Sequence, residues 1–534
     1  MEKAVKMGKD SATGSLQLFI GKIGSTLMLA LGSIIVGIFI SPGEYGLYTI
    51  ALVPAATFLL FQDWGVGTAL TKYCANYRAE KKEDELWNVI VTGLTFEAIT
   101  GLSLTLLSLF TANLIASAIY SSPGSGILIA LASVSILSSA VYGGSLSVFM
   151  GFERMDLSTI TMIISATIQG LLTPLLVYLG FGALGAVAGY TVASISSGII
   201  GLILLYFVIL KKLPSRSTSK ATMIQTLKPL IRYGIPVAGA IILGGIATQI
   251  SNFVMASSTD IALIGNYKIA INFAALLALF IYPIQTVLFP AFSKLDPSKD
   301  KQLLKTVYSS SVKYSSLFIA PATIALMVLS GPLISTIYGD KWPFAPFYLT
   351  LYVIGNLLVL LGGLVYGKLF YATGETQFIM KLNALILCIE APLAFILIPP
   401  LGIIGVIIAS FIVGIVSSVV GIYWTWKRYE TKPDLRNSGR MLLASVIAGA
   451  TTYLFQTIFP VAAWIELTLG IMLFLGVFFI CAPLIGAINQ TDVANLRAMF
   501  SGLGPLSKLL KTFLVLIEKP LRIKEKLSRT GEQK

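Results

Sequence analysis

The sequence contains no histidine, only three cysteines and few charged residues. The absence of imidazole excludes any mechanism that needs a histidine base, a histidine proton relay or a histidine metal ligand. Cys74, Cys388 and Cys481 lie far apart and lack CxxC spacing. This pattern favours buried apolar thiols over a zinc site or a disulfide framework. We therefore expect no metal and no cofactor.

Charge is scarce for a chain of this length. Of the 534 residues, 12% are charged and 56% are hydrophobic, whereas ordinary globular chains have about 25% charged residues. The mean hydropathy is +0.86. A water-soluble protein of this size could not cover its surface with so few charges. The composition predicts an all-α polytopic membrane protein.

Apolar stretches long enough to cross a bilayer as a helix, about 20 residues each, occur fourteen times. These predicted spans cover residues 16–40, 46–70, 86–110, 125–150, 157–179, 182–210, 228–256, 261–289, 311–337, 345–370, 378–398, 402–426, 440–459 and 464–488. The first follows a polar N-terminus without a small-residue cleavage site, so we expect it to be retained as a helix.

The placement of lysine and arginine predicts the orientation, because cytoplasmic segments retain positive charge. With the N-terminus inside, 36 of the 38 Lys and Arg residues lie on the inner side, and only Lys268 and Lys341 lie outside. The net charge of +14 then faces anionic membrane lipids and requires no nucleic acid. Both termini are predicted in the cytoplasm, with the chain in the cell (plasma) membrane. Short outer connections and the lack of an ATP-binding loop argue against an enzyme.

Two short segments recur at nearly the same offset, which indicates an internal duplication of the kind found in transporters. Residues 46–51 (GLYTIA) match residues 265–270 (GNYKIA), and residues 182–185 (GALG) match residues 402–405 (GIIG). The duplication predicts two pseudo-symmetric six-helix lobes that flank a cleft and rock to give alternating access. The predicted parts are an N-lobe (1–210), a cytoplasmic linker (211–227), a C-lobe (228–426), two extra transmembrane helices (427–490) and a cytoplasmic amphipathic C-terminal helix (491–534).

Three carboxylates lie deep inside predicted spans, where an ionisable group is costly and marks a functional candidate. The helical rise of about 1.5 Å per residue places Asp63 and Glu390 roughly 13 Å from the inner face and Glu97 roughly 16 Å deep. We expect at least one of them to bind a coupling cation or proton. The alternative is a neutral buried carboxyl group that pairs with Ser, Thr or Tyr neighbours for packing.

Three basic residues, Lys22, Arg232 and Lys368, lie nearer the inner ends of spans 1, 7 and 10. One interpretation is that they extend to the cytoplasmic headgroups. The other places them in an inward-facing cleft, where they would bind an anionic phosphate headgroup. At the C-terminus, an apolar and basic alternation in residues 506–522 predicts a helix on the cytoplasmic membrane surface, with docking of a soluble partner as the alternative.

Several motifs occur in a fixed order along the chain. They are residues 41–48 (SPGEYGLY), 63–73 (DWGVGTALTKY), 150–154 (MGFER), 230–236 (LIRYGIP) and 492–497 (DVANLR). On these motifs and the fourteen-span frame, the chain resembles the polysaccharide flippases (Wzx-like, polysaccharide transport family) of the multidrug/oligosaccharidyl-lipid/polysaccharide exporter superfamily. One departure is Ser251-Asn252-Phe253, where family members often carry an aspartate. A role in ion coupling is therefore not carried over to that position.

The resemblance implies a flippase for an isoprenoid-phosphate- or diphosphate-linked oligosaccharide. It implies movement from the cytoplasmic to the outer leaflet, for polysaccharide or glycoprotein biosynthesis. Glycosyltransferases of the same pathway are then candidate partners. A multidrug or cation antiporter and a peptidoglycan-precursor flippase share this architecture and are the alternatives. A glycan polymerase or ligase is the third possibility.

Overall fold

The structure is a computed structural model that describes residues 2–213, 220–501, 518, 520 and 521. All regular secondary structure in these residues is helical. The α-helices are α1 (Glu2–Phe39), α2 (Pro42–Leu59), α3 (Val66–Ala79), α4 (Glu83–Leu114), α5 (Gly126–Gly151), α6 (Met155–Leu176), α7 (Gly182–Val208), α8 (Lys220–Ser258), α9 (Ile261–Ala274), α10 (Ala278–Ser293), α11 (Lys301–Val328), α12 (Ser330–Tyr338), α13 (Ala345–Val353), α14 (Tyr366–Ala372), α15 (Thr376–Leu401), α16 (Ile403–Tyr429), α17 (Leu435–Ile458), α18 (Ala463–Ile485) and α19 (Gln490–Ser501). Short 3₁₀ or π segments are Ile115–Ile119, Pro123–Ser125, Val177–Phe181, Leu210–Lys212, Ala275–Leu277, Gly339–Lys341 and Ile354–Leu361.

The prediction of an all-helical membrane protein is confirmed, whereas the count of fourteen spans is not. Within the described residues, eleven helices are long and apolar enough to cross a membrane, or twelve if one bent pair is a single span. The fourteen predicted spans and the twelve counted in the structure differ at two places. Residues 155–212 count as one apolar segment, although α6 and α7 inside it pack against each other. Neither α2 nor α3 meets the criterion, because predicted span 2 is broken.

The break in predicted span 2 lies between α2 and α3, and it corrects the expectation of one continuous helix. Trp64 and Gly65 both adopt positive φ, 52° and 76°, which is the left-handed region and ends a right-handed helix. Glycine tolerates this conformation because it has no Cβ. Hydropathy averaged over a window does not detect such a turn.

The chain folds into two compact units. Unit 1 comprises Met1–Ala275 and Gln377–Val413, and unit 2 comprises Leu276–Thr376 and Gly414–Lys534. One apolar core in unit 1 forms where α3, α4, α5, α7 and α8 meet, and its fully buried members include Leu70, Ile90 and Phe149. In unit 2, a core between α11, α17 and α18 contains Met441 and Phe474, among others.

The helices turn large apolar side chains outward and small residues inward, as expected in lipid. Phe110 is 82% exposed and Leu171 is 66% exposed. Between helices, α1 and α6 meet at Gly32, where an added Cβ would lie 2.6 Å from the Gly170 Cα. The Ser108 and Ser133 hydroxyls form a buried hydrogen bond of 2.6 Å between α4 and α5. Close backbone approach and buried hydroxyl pairs therefore hold unit 1 together.

The two copies of the first repeated segment pack against each other in unit 1. A Cβ added to Gly46 on α2 would lie 2.7 Å from Ile261 Cγ2 and 2.8 Å from the Ile261 carbonyl carbon. A Cβ added to Gly265 on α9 would lie 3.0 Å from the carbonyl carbon of Pro42. The contact is therefore reciprocal, because each repeat places a glycine against the first turn of the other helix. Only glycine allows this approach.

The described part of the C-terminal region packs against α11 within unit 2. Lys313 Nζ of α11 lies 2.6 Å from Asp492 Oδ2 of α19, and Asn495 Nδ2 donates to the Tyr314 hydroxyl at 2.9 Å. The Asn489 N–H also donates to Asp492, at 2.8 Å. The motif at residues 492–497 therefore begins with an aspartate that fastens α19 to α11. The amphipathic pattern predicted for residues 506–522 falls almost entirely outside the described residues.

Candidate functional site

The Asp63 carboxylate is fixed at the amino end of α3 by the break in span 2. Its Oδ1 accepts the Gly67 N–H at 2.6 Å, and its backbone carbonyl accepts the Val66 N–H at 2.9 Å. The first N–H groups of a helix lack intrahelical partners. A carboxylate there accepts hydrogen bonds from them and interacts favourably with the positive end of the helix dipole. The DWGVG sequence thus builds a turn that orients one of the predicted coupling residues.

A second predicted coupling residue, Glu97 of α4, lies beside Asp63. Glu97 is 2% exposed and accepts a hydrogen bond from Gln62 Nε2. The side chains of Glu97 and Asp63 also interact with each other. We call Gln62, Asp63 and Glu97 the carboxyl cluster. The carboxyl cluster is therefore a candidate site for a proton or a monovalent cation.

The third predicted coupling residue lies elsewhere in unit 1. Glu390 of α15 is 7% exposed, and the Ser251 hydroxyl of α8 donates to its Oε1 at 3.1 Å. Ser251 belongs to the segment where the resembling family often has an aspartate. In this chain a glutamate from another helix therefore brings a carboxylate to that segment. The pairing spans 139 residues, and nothing in the sequence indicated it.

A cavity of about 600 Å³ lies between α3 and α8 in unit 1. Its lining residues are Tyr73, Gln225, Lys228, Pro229, Arg232 and Tyr233. Lys72 Nζ lies 4.0 Å from the ring centre of Tyr233, which is cation–π geometry. The Tyr73 and Tyr233 rings meet edge to face at 6.3 Å. We call these lining residues together with Lys72 the cation–aromatic pocket. A smaller cavity of about 210 Å³ adjoins it and shares Tyr73.

Close packing of α8 against the break in span 2 positions this pocket. A Cβ added to Gly65 would lie 2.6 Å from the Gly234 carbonyl carbon, and the contact is reciprocal. Arg232 and Tyr233, which directly precede Gly234, are thereby held near α3. Guanidinium and ammonium groups bind phosphate oxygens, and tyrosine offers an apolar face with a polar tip. The pocket can therefore hold a phosphate group next to a hydrophobic or sugar moiety.

The three predicted headgroup residues lie in different surroundings. Arg232 lines the cation–aromatic pocket. Lys22 is an exposed residue of α1 and is not among the lining residues. Lys368 is half-buried on α14 in unit 2. The roles of Lys22 and Lys368 stay predictions.

Sequence reasoning missed several members of these sites. Gln62, Lys72, Tyr73 and Tyr233 are brought to them by the fold. One available signal was the basic-tyrosine dipeptide, which occurs just after predicted span 2 as Lys72-Tyr73 and inside predicted span 7 as Arg232-Tyr233. Within the described residues, no group of three or more acidic or cysteine side chains could hold a metal ion.

A second motif of the sequence serves to fasten α3 in place. Arg78, in the last turn of α3, donates to the Phe152 carbonyl at 2.6 Å and lies 3.5 Å from Glu153. A Cβ added to Gly151 would lie 2.7 Å from the Cys74 Cβ. The MGFER segment at the end of α5 therefore holds the carboxyl end of α3, while Asp63 holds its amino end.

Comparison with known proteins gives a consistent picture. Residues 35–345 match the sequence model of a family described as polysaccharide biosynthesis protein. The chain is 22% identical over 233 residues to the probable low-salt glycan biosynthesis flippase Agl15 of Haloferax volcanii, covering 44% of this chain and 49% of the relative. It is 26% identical over 224 residues to the lipopolysaccharide biosynthesis protein WzxC of Escherichia coli, covering 42% and 44%. The chain thus spans about half the length of these curated relatives.

Two solved structures share the fold over most of the chain. The lipid II flippase MurJ in an inward closed conformation superposes with a TM-score of 0.72 at 18% identity, covering 88% of this chain and 98% of that one. An inward-facing multidrug resistance transporter of the MATE family superposes with a TM-score of 0.62 at 19% identity, covering 77% and 98%. At these identities the likeness shows the fold alone.

Proposed function

The chain belongs to the polysaccharide biosynthesis protein family, and from this premise we propose that it flips a lipid-linked oligosaccharide from the cytoplasmic to the outer leaflet. The substrate class is an oligosaccharide on an isoprenoid phosphate or diphosphate, destined for polysaccharide or glycoprotein biosynthesis. Agl15, one of the curated relatives, is described as a flippase of glycan biosynthesis. Transport without a covalent step requires no catalytic residue.

The observation that carries this proposal is the cation–aromatic pocket. Lys228 and Arg232 offer donors for phosphate oxygens, and the rings of Tyr73 and Tyr233 lie next to them. An isoprenoid diphosphate carries charge and sugar at one end and an apolar chain at the other. The pocket suits the charged end, while the apolar chain stays in the bilayer at the exposed faces of the helices.

The carboxyl cluster and the Glu390–Ser251 pair supply the coupling in this proposal. Each holds a buried carboxyl group with hydrogen-bond donors, and each can take up a proton or a monovalent cation. The N-lobe (1–210) and the C-lobe (228–426) would rock about the linker and open the cleft to each leaflet in turn. Anionic lipids would bind the basic cytoplasmic face, and glycosyltransferases would deliver the substrate at the plasma membrane.

Reconstitution into liposomes tests the function. A fluorescent isoprenoid-diphosphate oligosaccharide should move between leaflets in the presence of the protein and not in its absence. Efflux of a soluble cationic dye without lipid movement would instead indicate an antiporter. Selective movement of a peptidoglycan precursor would indicate the other flippase class, and elongation or transfer of the glycan would indicate an enzyme.

Charge reversal in the pocket tests the proposed headgroup site. Arg232→Glu should reduce transport about 10- to 100-fold, because a charge-assisted hydrogen bond is worth about 1.5–3 kcal/mol. Lys301→Glu makes the same charge change at the exposed start of α11, outside the lining residues, and should change transport less than twofold. Lys22→Glu should have a smaller effect than Arg232→Glu, since Lys22 does not line the pocket. Equal losses in all three variants would show a general effect of surface charge and refute the assignment.

A further inference from the structure

A second polar cavity, of about 250 Å³, lies inside unit 2. It forms where predicted span 10 is broken into Ala345–Leu361 and Tyr366–Ala372, which are bent by 55°. Asn356 lies eleven residues after Ala345, which is roughly 16 Å along a helix and near the bilayer midplane. Non-helical backbone at this depth is tolerated only where it is buried in protein or lines a cavity.

Among the described residues that line this cavity are four neutral polar side chains, Asn356, Tyr366, Ser417 and Ser418. The Tyr366 and Ser417 hydroxyls hydrogen-bond to each other at 2.8 Å. In the part of the chain that the structure describes, neither the Asn356 amide nor the Ser418 hydroxyl has a hydrogen-bond partner, although Ser418 is 2% exposed.

Some helical hydroxyls in the described part of unit 2 bond within their own helix, whereas those of Ser316 and Thr323 on α11 are buried without a partner. Thr425, on the same helix as Ser418, donates to the Gly421 carbonyl at 2.8 Å. Ser445 of α17 donates to the Met441 carbonyl at 2.9 Å. Ser418 lacks such a bond. Asn356 and Ser418 therefore offer hydrogen-bonding groups to a molecule that enters the cavity.

The lining restricts the chemistry of that partner. None of the described residues that line the cavity is Lys, Arg, Asp or Glu, which disfavours a phosphate, since phosphate sites use basic side chains. It also disfavours a divalent cation, because such ions take carboxylate oxygens. Amide and hydroxyl groups both donate and accept hydrogen bonds, and so do the hydroxyls of a sugar. A water molecule occupies about 30 Å³ in the liquid. The cavity of about 250 Å³ therefore has the volume of several waters, which is enough space for a sugar ring.

We propose that this cavity binds a neutral sugar ring of the transported saccharide through Asn356, Tyr366, Ser417 and Ser418. This inference rests on the proposed function and adds a sugar subsite to it. Two glycines allow the close packing around the site. A Cβ on Gly363 would lie 3.4 Å from Ser418 Oγ, and one on Gly414 would lie 2.7 Å from Leu358 Cδ1. Side chains at these positions would reduce the space at the break.

The test compares two lipids on the purified full-length protein. One is an isoprenoid diphosphate that carries a single hexose, and the other is the same lipid without sugar. Asn356→Leu with Ser418→Ala should weaken binding of the hexose lipid about tenfold, as expected for the loss of two hydrogen bonds. Binding of the bare lipid should change less than twofold. Ser445→Ala, which removes a buried hydroxyl of unit 2 outside the cavity, is the matched control and should leave both affinities unchanged.

The outcomes separate the subsite from the function. If the wild-type protein binds neither lipid, the proposed function is wrong. If it binds both lipids and the double variant weakens both equally or neither, the function stands and the sugar subsite is wrong. If the loss of lipid binding in the double variant depends on sodium rather than on the hexose, the cavity is a monovalent cation site instead. If the double variant does not fold, Tyr366→Phe, which removes one oxygen atom, should show the same selective loss.

Discussion

Replacing Gly46 with alanine tests whether the reciprocal contact of the repeated segments is as close as the structure shows. The new Cβ would lie 2.8 Å from the Ile261 carbonyl carbon and 2.7 Å from Ile261 Cγ2. The first of these is backbone at a helix start, which cannot rotate away. Helices α2 and α9 must therefore separate at this end.

The expected loss of stability in Gly46→Ala follows from two opposing effects. Overpacking of a tight interior costs about 1–3 kcal/mol of stability. We take about 3 kcal/mol, because the atoms that the new Cβ meets include backbone atoms of Ile261, which cannot rotate away. Alanine in place of glycine in a helix recovers about 1 kcal/mol. The net loss should be about 2 kcal/mol. Gly43→Ala lies three residues earlier on α2 and meets nothing within 4 Å, so this control should lose no stability.

Thermal unfolding of the detergent-solubilised protein provides the measurement. Gly46→Ala should unfold several degrees below the wild type, and Gly43→Ala at or above it. Gly265→Ala should also be destabilising, and the double variant should lose less than the sum, because both substitutions separate the same pair of helices. Equal unfolding temperatures for Gly46→Ala and Gly43→Ala would refute the reasoning.

Two further predictions concern ionisable groups inside the two units. Glu97→Gln and Glu390→Gln should each slow lipid transport at least tenfold while membrane insertion and folding stay normal, and wild-type rates in both would refute coupling at these carboxylates. Asp492→Asn should destabilise unit 2 by about 1–3 kcal/mol, because the Lys313 ammonium loses a charge-assisted hydrogen bond in a partly buried site. Lys313→Met should do the same in thermal unfolding, and the effects of the two substitutions should not add if they break one interaction.

The sequence was sufficient for those properties that depend on composition and on local charge. The apolar runs predicted the helices, and the basic residues inside the spans drew attention to Arg232, which lines a cavity. Isolated carboxylates at membrane depth drew attention to Asp63 and Glu97, which the fold brings together. A charge in lipid is costly wherever it occurs, which is why these residues stood out, and their functional roles stay predictions.

Long-range pairing and backbone geometry could not be predicted in the same way. The Ser251–Glu390 hydrogen bond joins two helices far apart in the sequence, and only the fold brings them together. The break at Trp64 and Gly65 is invisible to a hydropathy window, although an aspartate followed by two glycines is a plausible helix start. The lobe boundaries and the roles of Lys22 and Lys368 stay predictions.

The short helix α3 makes a different contact at each end and in its middle. It has 14 residues, a length of about 21 Å. Its amino end is tied to Asp63 and its carboxyl end to the Phe152 carbonyl through Arg78, while Lys72 and Tyr73 project from its middle turns. In the proposed function, an ion that binds at Asp63 would alter the contact at the amino end of α3, and a tilt of this helix would displace the aromatic and basic groups two turns away. Ion and cargo would then influence each other through one helix without direct contact.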